Sequence, residues 1–201
     1  GIIGAVALIN LLLAVVALMK DIALATYLGT SQNADALLLA FFIPDTVGNN
    51  LLASAIGVAA VPVFSKLYTT GEKSRLLQCF TGIFILAFTA SVFICSGLYL
   101  FKEPAVRLIG SGLSQSAIIL CTRLFMLLLP TILIFPFITL GISLAQVYCR
   151  FKTAALAPVL FNVVFLSALL YGVLFRIPVS KGVYIAAISI LCGVAVMAVL
   201  V

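Results

Sequence analysis

Lysine and aspartate stand side by side at positions 20 and 21, inside the apolar stretch VALMKDIALATYLG of residues 16–29. A cation there can attract an anionic group, and a carboxylate can serve as an ion or proton site. An ionised side chain at mid-bilayer costs roughly 2.5–3.5 kcal/mol on insertion scales, so such residues usually face a protein interior or a water-filled pathway. A second reading stands beside it: residues 2–19 are nearly long enough to span, which leaves Lys20 and Asp21 as an interfacial anchor. At about 100° per residue, Asn10, Ala14, Ala17, Asp21 and Ala25 share one helical stripe with Lys20 at its edge. Small residues alternating with polar ones suit protein contact or a cavity, and plain helix packing explains the alanines equally well.

A second polar group follows in NADALLLAFFIPDTVGNNLLASAIGVAAVPVFSK. Asp35 lies near its start, and Asp45, Thr46, Asn49 and Asn50 come just after Pro44. Proline removes a backbone hydrogen bond and kinks a helix, and Gly48 loosens it further. Transporters build midplane binding sites from discontinuous helices of this kind, although kinks also occur in membrane proteins that transport nothing. Pro130 and Pro136 repeat the device, with Thr131, Thr139 and Ser143 supplying hydroxyls. Pro44, Gly48, Pro130 and Pro136 are therefore the expected hinge positions.

These residues need elements that hold them in lipid. With 65% apolar residues, 8% charged and a mean hydropathy of +1.39, the chain lies far outside the range of soluble domains. It reads as all-α, a polytopic transmembrane helical bundle, because lipid offers no partner for unpaired backbone groups. Six spans are expected, at about 2–28, 34–65, 76–101, 117–148, 154–175 and 183–201, joined by short polar connections that include 102–116. The chain begins without methionine in apolar sequence and ends in an apolar run, so further spans are expected beyond it. The first span lacks the small-residue cleavage site of a secretory signal.

The net charge of +6 resides mostly in the connections, where basic residues set topology. No nucleic-acid partner is expected. If spans alternate, Lys66, Lys73, Arg75, Arg150 and Lys152 share one side, while Lys102, Arg107, Arg176 and Lys181 share the other. The first side, with the amino terminus, is assigned to the cytoplasm. The five cysteines are scattered without a C-x-x-C pair and read as small apolar residues. The sequence contains no histidine, which excludes histidine acid–base chemistry, a catalytic triad and an ordinary zinc site within it. No enzymatic activity, metal or cofactor is expected.

Lys20-Asp21, Gly29, ADA at 34–36, FFIP at 41–44 and AAVPVF at 59–64 resemble, in order and spacing, the start of the MurJ/MviN lipid II flippases. Arg123 with Pro130, and QVYCRFKTAALAPVLFN at 146–162, resemble a later block of the same family. The resemblance implies the multidrug/oligosaccharidyl-lipid/polysaccharide exporter fold, in which two six-helix lobes enclose a cleft. Residues 1–201 would then be the amino-terminal lobe, with the carboxy-terminal lobe of the same protein as its partner. It further implies a bacterial inner membrane location and flipping of an undecaprenyl-diphosphate-linked cell-wall precursor, lipid II, by alternating access.

The family lines its cleft with arginines thought to meet the pyrophosphate. Here those positions read as Ala14, Lys20, and Gly48 with Asn49. Lysine is a point charge where arginine offers a planar fork. The expected substrate-binding residues are Lys20, Asn10, Asp21, Asp35, Asn49 and Asn50, with lysine attracting the diphosphate and the amides bonding sugar or peptide groups. Coupling to membrane potential or an ion gradient is expected, with Asp21 or Asp35 as the ion or proton site. Export of another lipid-linked oligosaccharide or exopolysaccharide precursor fits these departures almost as well. An ion-coupled small-solute exporter and a non-transporting membrane scaffold remain as further alternatives.

Overall fold

The computed structural model describes residues 2–201, and no strand occurs among them. The chain enters as α1 (Ile2–Leu28), which ends where Gly29 takes a left-handed φ of +61°, a conformation glycine adopts at no steric cost. Ser31 then starts α2 (Gln32–Pro44): its hydroxyl accepts from the Ala34 N–H at 3.3 Å and donates to the Leu28 carbonyl at 2.7 Å.

The expected second span, 34–65, is one long rod built of three pieces: α2, a π-helical segment (Asp45–Ala53) and α3 (Ser54–Thr69). Beyond the Gly71 turn come α4 (Lys73–Leu100) and a short helix α5 (Lys102–Ile109). The short polar connection expected over 102–116 therefore contains a helix of its own. KEPAVRLI is too short and too polar to cross a bilayer, yet it buries Val106 and leaves Leu108 exposed, the habit of a helix lying along a surface.

The fourth span is also divided. α6 (Gln115–Leu128) and α7 (Thr131–Val147) meet at a bend of 41°. Then follow α8 (Phe151–Leu174) and α9 (Val179–Leu200). Five helices are long and apolar enough to cross a membrane, or six if the bent α6–α7 pair counts as one span, so the chain is a polytopic helical membrane protein.

The core lies where α2, α6, α8 and α9 meet, around Leu37, Leu124, Phe125, Leu128, Ile132, Leu169, Val183 and Ile190. A smaller cluster of Ala60, Phe64, Leu140 and Val147 joins α3 to α7. α1 lies at the margin, packed mainly on α8. Tyr27 fixes it there: its hydroxyl donates to the Ile177 carbonyl at 3.0 Å, and a Cβ added at Gly172 would stand 2.5 Å from its ring. Only glycine at 172 and 182 leaves room for that ring between α8 and α9. Exposed Leu8, Leu11, Ile85, Phe93 and Leu174 suit contact with hydrocarbon.

Candidate functional site

Pro44 determines the local architecture. It has no N–H to offer the Ala40 carbonyl, and the next donor, Asp45, reaches the Phe41 and Phe42 carbonyls. The helix does not break, as a kink would suggest; it widens into the π segment. Such segments are rare, usually single-turn bulges and frequent at functional sites. Gly48 allows the wide turn to press on α7, because a Cβ there would stand 2.8 Å from Phe135 Cδ2 and 3.1 Å from Ile132 Cα.

The widened turn gathers three polar side chains. Asn49 Nδ2 donates to Asp45 Oδ1 at 3.1 Å, and Asn50 Nδ2 donates to Asp45 Oδ2 at 3.3 Å. Each carboxylate oxygen thus holds one amide, and each amide keeps its carbonyl for another partner. Asp45 escaped the expected set of binding residues. Its spacing to Asn49 and Asn50, four and five residues, was a usable signal once the segment is known to be π-helical.

Two hollows open on this group. One, of about 270 Å³, is lined by Phe41, Asp45, Asn49, Thr139, Phe161 and Met197 among others. The second, of about 500 Å³, runs between α3 and α7 past Asn49, Asn50, Ser54, Thr139, Ser143 and Gln146. Asn49 and Thr139 line both, so the hollows adjoin. Thr139 is the hydroxyl of α7 that faces them without bonding its own helix. Thr131 and Ser143, expected to supply hydroxyls, are buried and donate back to Leu128 and Thr139 at 2.7 and 2.8 Å.

Lys20, on α1, lines neither hollow. Its Nζ lies 3.1 Å from Asp21 Oδ1 and 5.7 Å from the Phe165 ring centroid, with the lysine side chain 18% and the aspartate 64% exposed. Phe165 packs on Phe161 at 6.3 Å and Phe161 on Phe41 at 6.5 Å between centroids. An aromatic row on α8 and α2 therefore connects Lys20 to the hollow that holds Asp45. Lys20 lies eight residues before the end of α1, ~12 Å from it along the axis, with aromatic and aliphatic residues around it. It is placed within the span, on its packed side; the stripe of Asn10, Ala14, Asp21 and Ala25 is turned outward and exposed.

The other expected residues are more dispersed. Asn10 is exposed on α1, ~15 Å from Lys20 along the axis. Asp35 is not brought to the group. It stands in the first turn of α2, beside Ile109, Gly110 and Leu113, where a carboxylate is favoured by the helix dipole. Of the expected hinges, Pro44 and Gly48 flank and occupy the π segment, and Pro130 stands in the α6–α7 bend. Pro136 is buried inside α7, which continues through it. Among the described residues no cluster of acidic, histidine or cysteine side chains could hold a metal ion.

The family model for the lipid II flippase MurJ matches residues 24–201. The lipid II flippase MurJ of Thermosipho africanus (strain TCF52B) is 27% identical over 149 residues, which cover 74% of this chain and 30% of that protein. The probable lipid II flippase MurJ of Buchnera aphidicola subsp. Acyrthosiphon pisum (strain APS) is 22% identical over 190 residues, 94% of this chain and 37% of the relative. A probable lipid II flippase MurJ of Treponema pallidum (strain Nichols) is 33% identical over 69 residues, 34% of this chain and 13% of the relative. The chain thus spans about a third of the length of the first two relatives. With a match that runs through nearly all of its helices, this chain belongs to the lipid II flippase MurJ family.

Proposed function

We propose that the protein of which this chain is a part is a lipid II flippase, a transporter rather than a catalyst of bond chemistry, working in the bacterial inner membrane. The family match over residues 24–201 carries this reading. A diphosphate sugar headgroup cannot cross hydrocarbon unaided, because every desolvated charge and unpaired polar group is expensive. In our reading Lys20 meets the diphosphate, while Asn49, Asn50 and the more distant Asn10 bond the saccharide or peptide. Asp21 pairs with Lys20 and competes with the diphosphate for it, and the lipid tail stays in the bilayer. The bound headgroup is exposed first to one face and then to the other as this lobe rocks against a carboxy-terminal lobe.

Pro44, Gly48 and Pro130 would absorb the bending; Pro136 is a weaker hinge because α7 is continuous around it. Coupling to membrane potential or an ion gradient would drive the return. Asp45, facing the hollow, is better placed for an ion than Asp21 or Asp35.

One observation favours a second reading, transport of another lipid-linked saccharide. Among these cleft positions the one cation is Lys20, and it already pairs with Asp21 at 3.1 Å. The test is depletion–rescue with the full-length gene in bacteria stripped of their lipid II flippase, with Lys20→Ala beside the unmodified protein. Rescue by the unmodified protein alone supports lipid II and the Lys20 contact. Equal rescue by both sinks the site assignment, and failure of a well-expressed unmodified protein moves the substrate to another lipid-linked glycan.

A further inference from the structure

The groove between α5 and α6 lies outside the cleft and is strongly basic. It encloses about 280 Å³ and is lined by Lys102, Glu103, Arg107, Gln115, Thr122 and Arg123 among others. Three cations thus face one carboxylate, and no ion pair among the described residues involves any of the four. Lys102 is steered by the Tyr99 ring, 4.3 Å from its Nζ to the centroid. Arg123 is exposed eight residues into α6, ~12 Å along the axis from the helix start. A guanidinium that far down a spanning helix is costly unless an anion meets it, and a long side chain can rise only partway toward the headgroups.

The surroundings indicate where that anion comes from. α5 presents Leu108 to the outside, and Phe101 just before it and Ile119 on α6 are exposed as well. Apolar side chains next to unpaired cations match the boundary between acyl chains and headgroups, and basic pockets between spanning helices hold lipid headgroups. The same end of the molecule carries the α1–α2 turn, since Ser114 hydrogen-bonds Gln32. With the amino terminus in the cytoplasm, this end meets the outer leaflet.

We propose that the α5–α6 groove binds the phosphate of an anionic membrane phospholipid, held by Arg123, Arg107 and Lys102. Gln115 and Thr122 add uncharged hydrogen bonds, and the acyl chains lie along Ile119 and Leu108. The inference is independent of the flippase reading, because it needs only a chain that spans the membrane.

The test uses the full-length protein extracted from bilayers of phosphatidylcholine containing phosphatidylglycerol, with retained lipids counted by native mass spectrometry. The unmodified protein should retain phosphatidylglycerol over phosphatidylcholine. Arg123→Gln should lower that preference about fivefold, given that a basic residue near the surface contributes about 1 kcal/mol. Arg123→Lys should keep most of it, and Lys102→Gln with Arg107→Gln and Arg123→Gln together should abolish it. The single changes Lys102→Gln and Arg107→Gln provide the same reading if the triple variant fails to fold. Equal retention in Arg123→Gln and the unmodified protein overturns the proposal. Displacement of the retained lipid by millimolar inorganic phosphate overturns the lipid assignment in favour of a free anion.

Discussion

Replacing Lys20 separates a binding charge from a structural one. Its partner Asp21 is 64% exposed, and exposed pairs of this kind contribute about 0.2–1 kcal/mol. The Phe165 ring, 5.7 Å from Nζ, adds about 0.5–1 kcal/mol. Lys20→Ala should therefore destabilise the fold by only about 1–2 kcal/mol. A hydrogen bond to a charged group contributes about 1.5–3 kcal/mol. Losing it at a diphosphate should weaken binding of a polyprenyl-diphosphate saccharide by about 10- to 150-fold. Asp21→Asn has the opposite sign: it frees the amine and should tighten binding, by up to about fivefold. The assay is direct binding of a labelled polyprenyl-diphosphate saccharide to the purified full-length protein, with thermal unfolding measured alongside. Unchanged affinity in a folded Lys20→Ala protein would refute the reasoning, and so would an Asp21→Asn protein that binds more weakly than the unmodified one.

Gly48→Ala should cost about 1–3 kcal/mol by overpacking, because the new Cβ meets Phe135 and the Ile132 backbone; an unchanged unfolding midpoint would contradict the close approach. Gly182→Ala should destabilise by a similar amount and should be partly rescued by Tyr27→Ala, whose ring fills that space; additive losses in a thermal double-mutant cycle would refute the contact. Pro44→Ala restores a backbone donor and should raise thermal stability while lowering transport in the rescue assay, since the π turn that gathers Asp45, Asn49 and Asn50 is no longer enforced. Cys149 is exposed in the turn after α7, whereas Cys121 is buried. A membrane-impermeant maleimide should label Cys149 in inverted but not right-side-out vesicles, and the reverse pattern would invert the assigned topology.

Local chemistry made the membrane bundle legible. Apolar runs long enough to cross a bilayer allow only helices there, because backbone groups find no partner in lipid. Ser31, Ser114, Gly29 and Gly71 mark element ends through caps and left-handed turns that depend on a few neighbouring residues. The family was readable for the same reason, from residue types at characteristic spacing, and its model matches residues 24–201. α5 was missed because eight residues with a proline and three charges carry little apolar periodicity.

What only the tertiary structure decided is which residues meet. Proline at 44 announces a missing hydrogen bond, but whether the helix kinks, breaks or widens depends on what packs against it, and here α7 presses on Gly48. That widening joins Asp45 to Asn49 and Asn50, while Asp35 is left at a helix end. Lys20 gains its setting from Phe165, 145 positions away in sequence. The sequence by itself determined the spanning helices and the family. The packing of α1 on α8 set the surroundings of Lys20, and that of the π turn on α7 decided which polar residues line the hollows. Such contacts arise between segments far apart in the chain, and no local spacing encodes them.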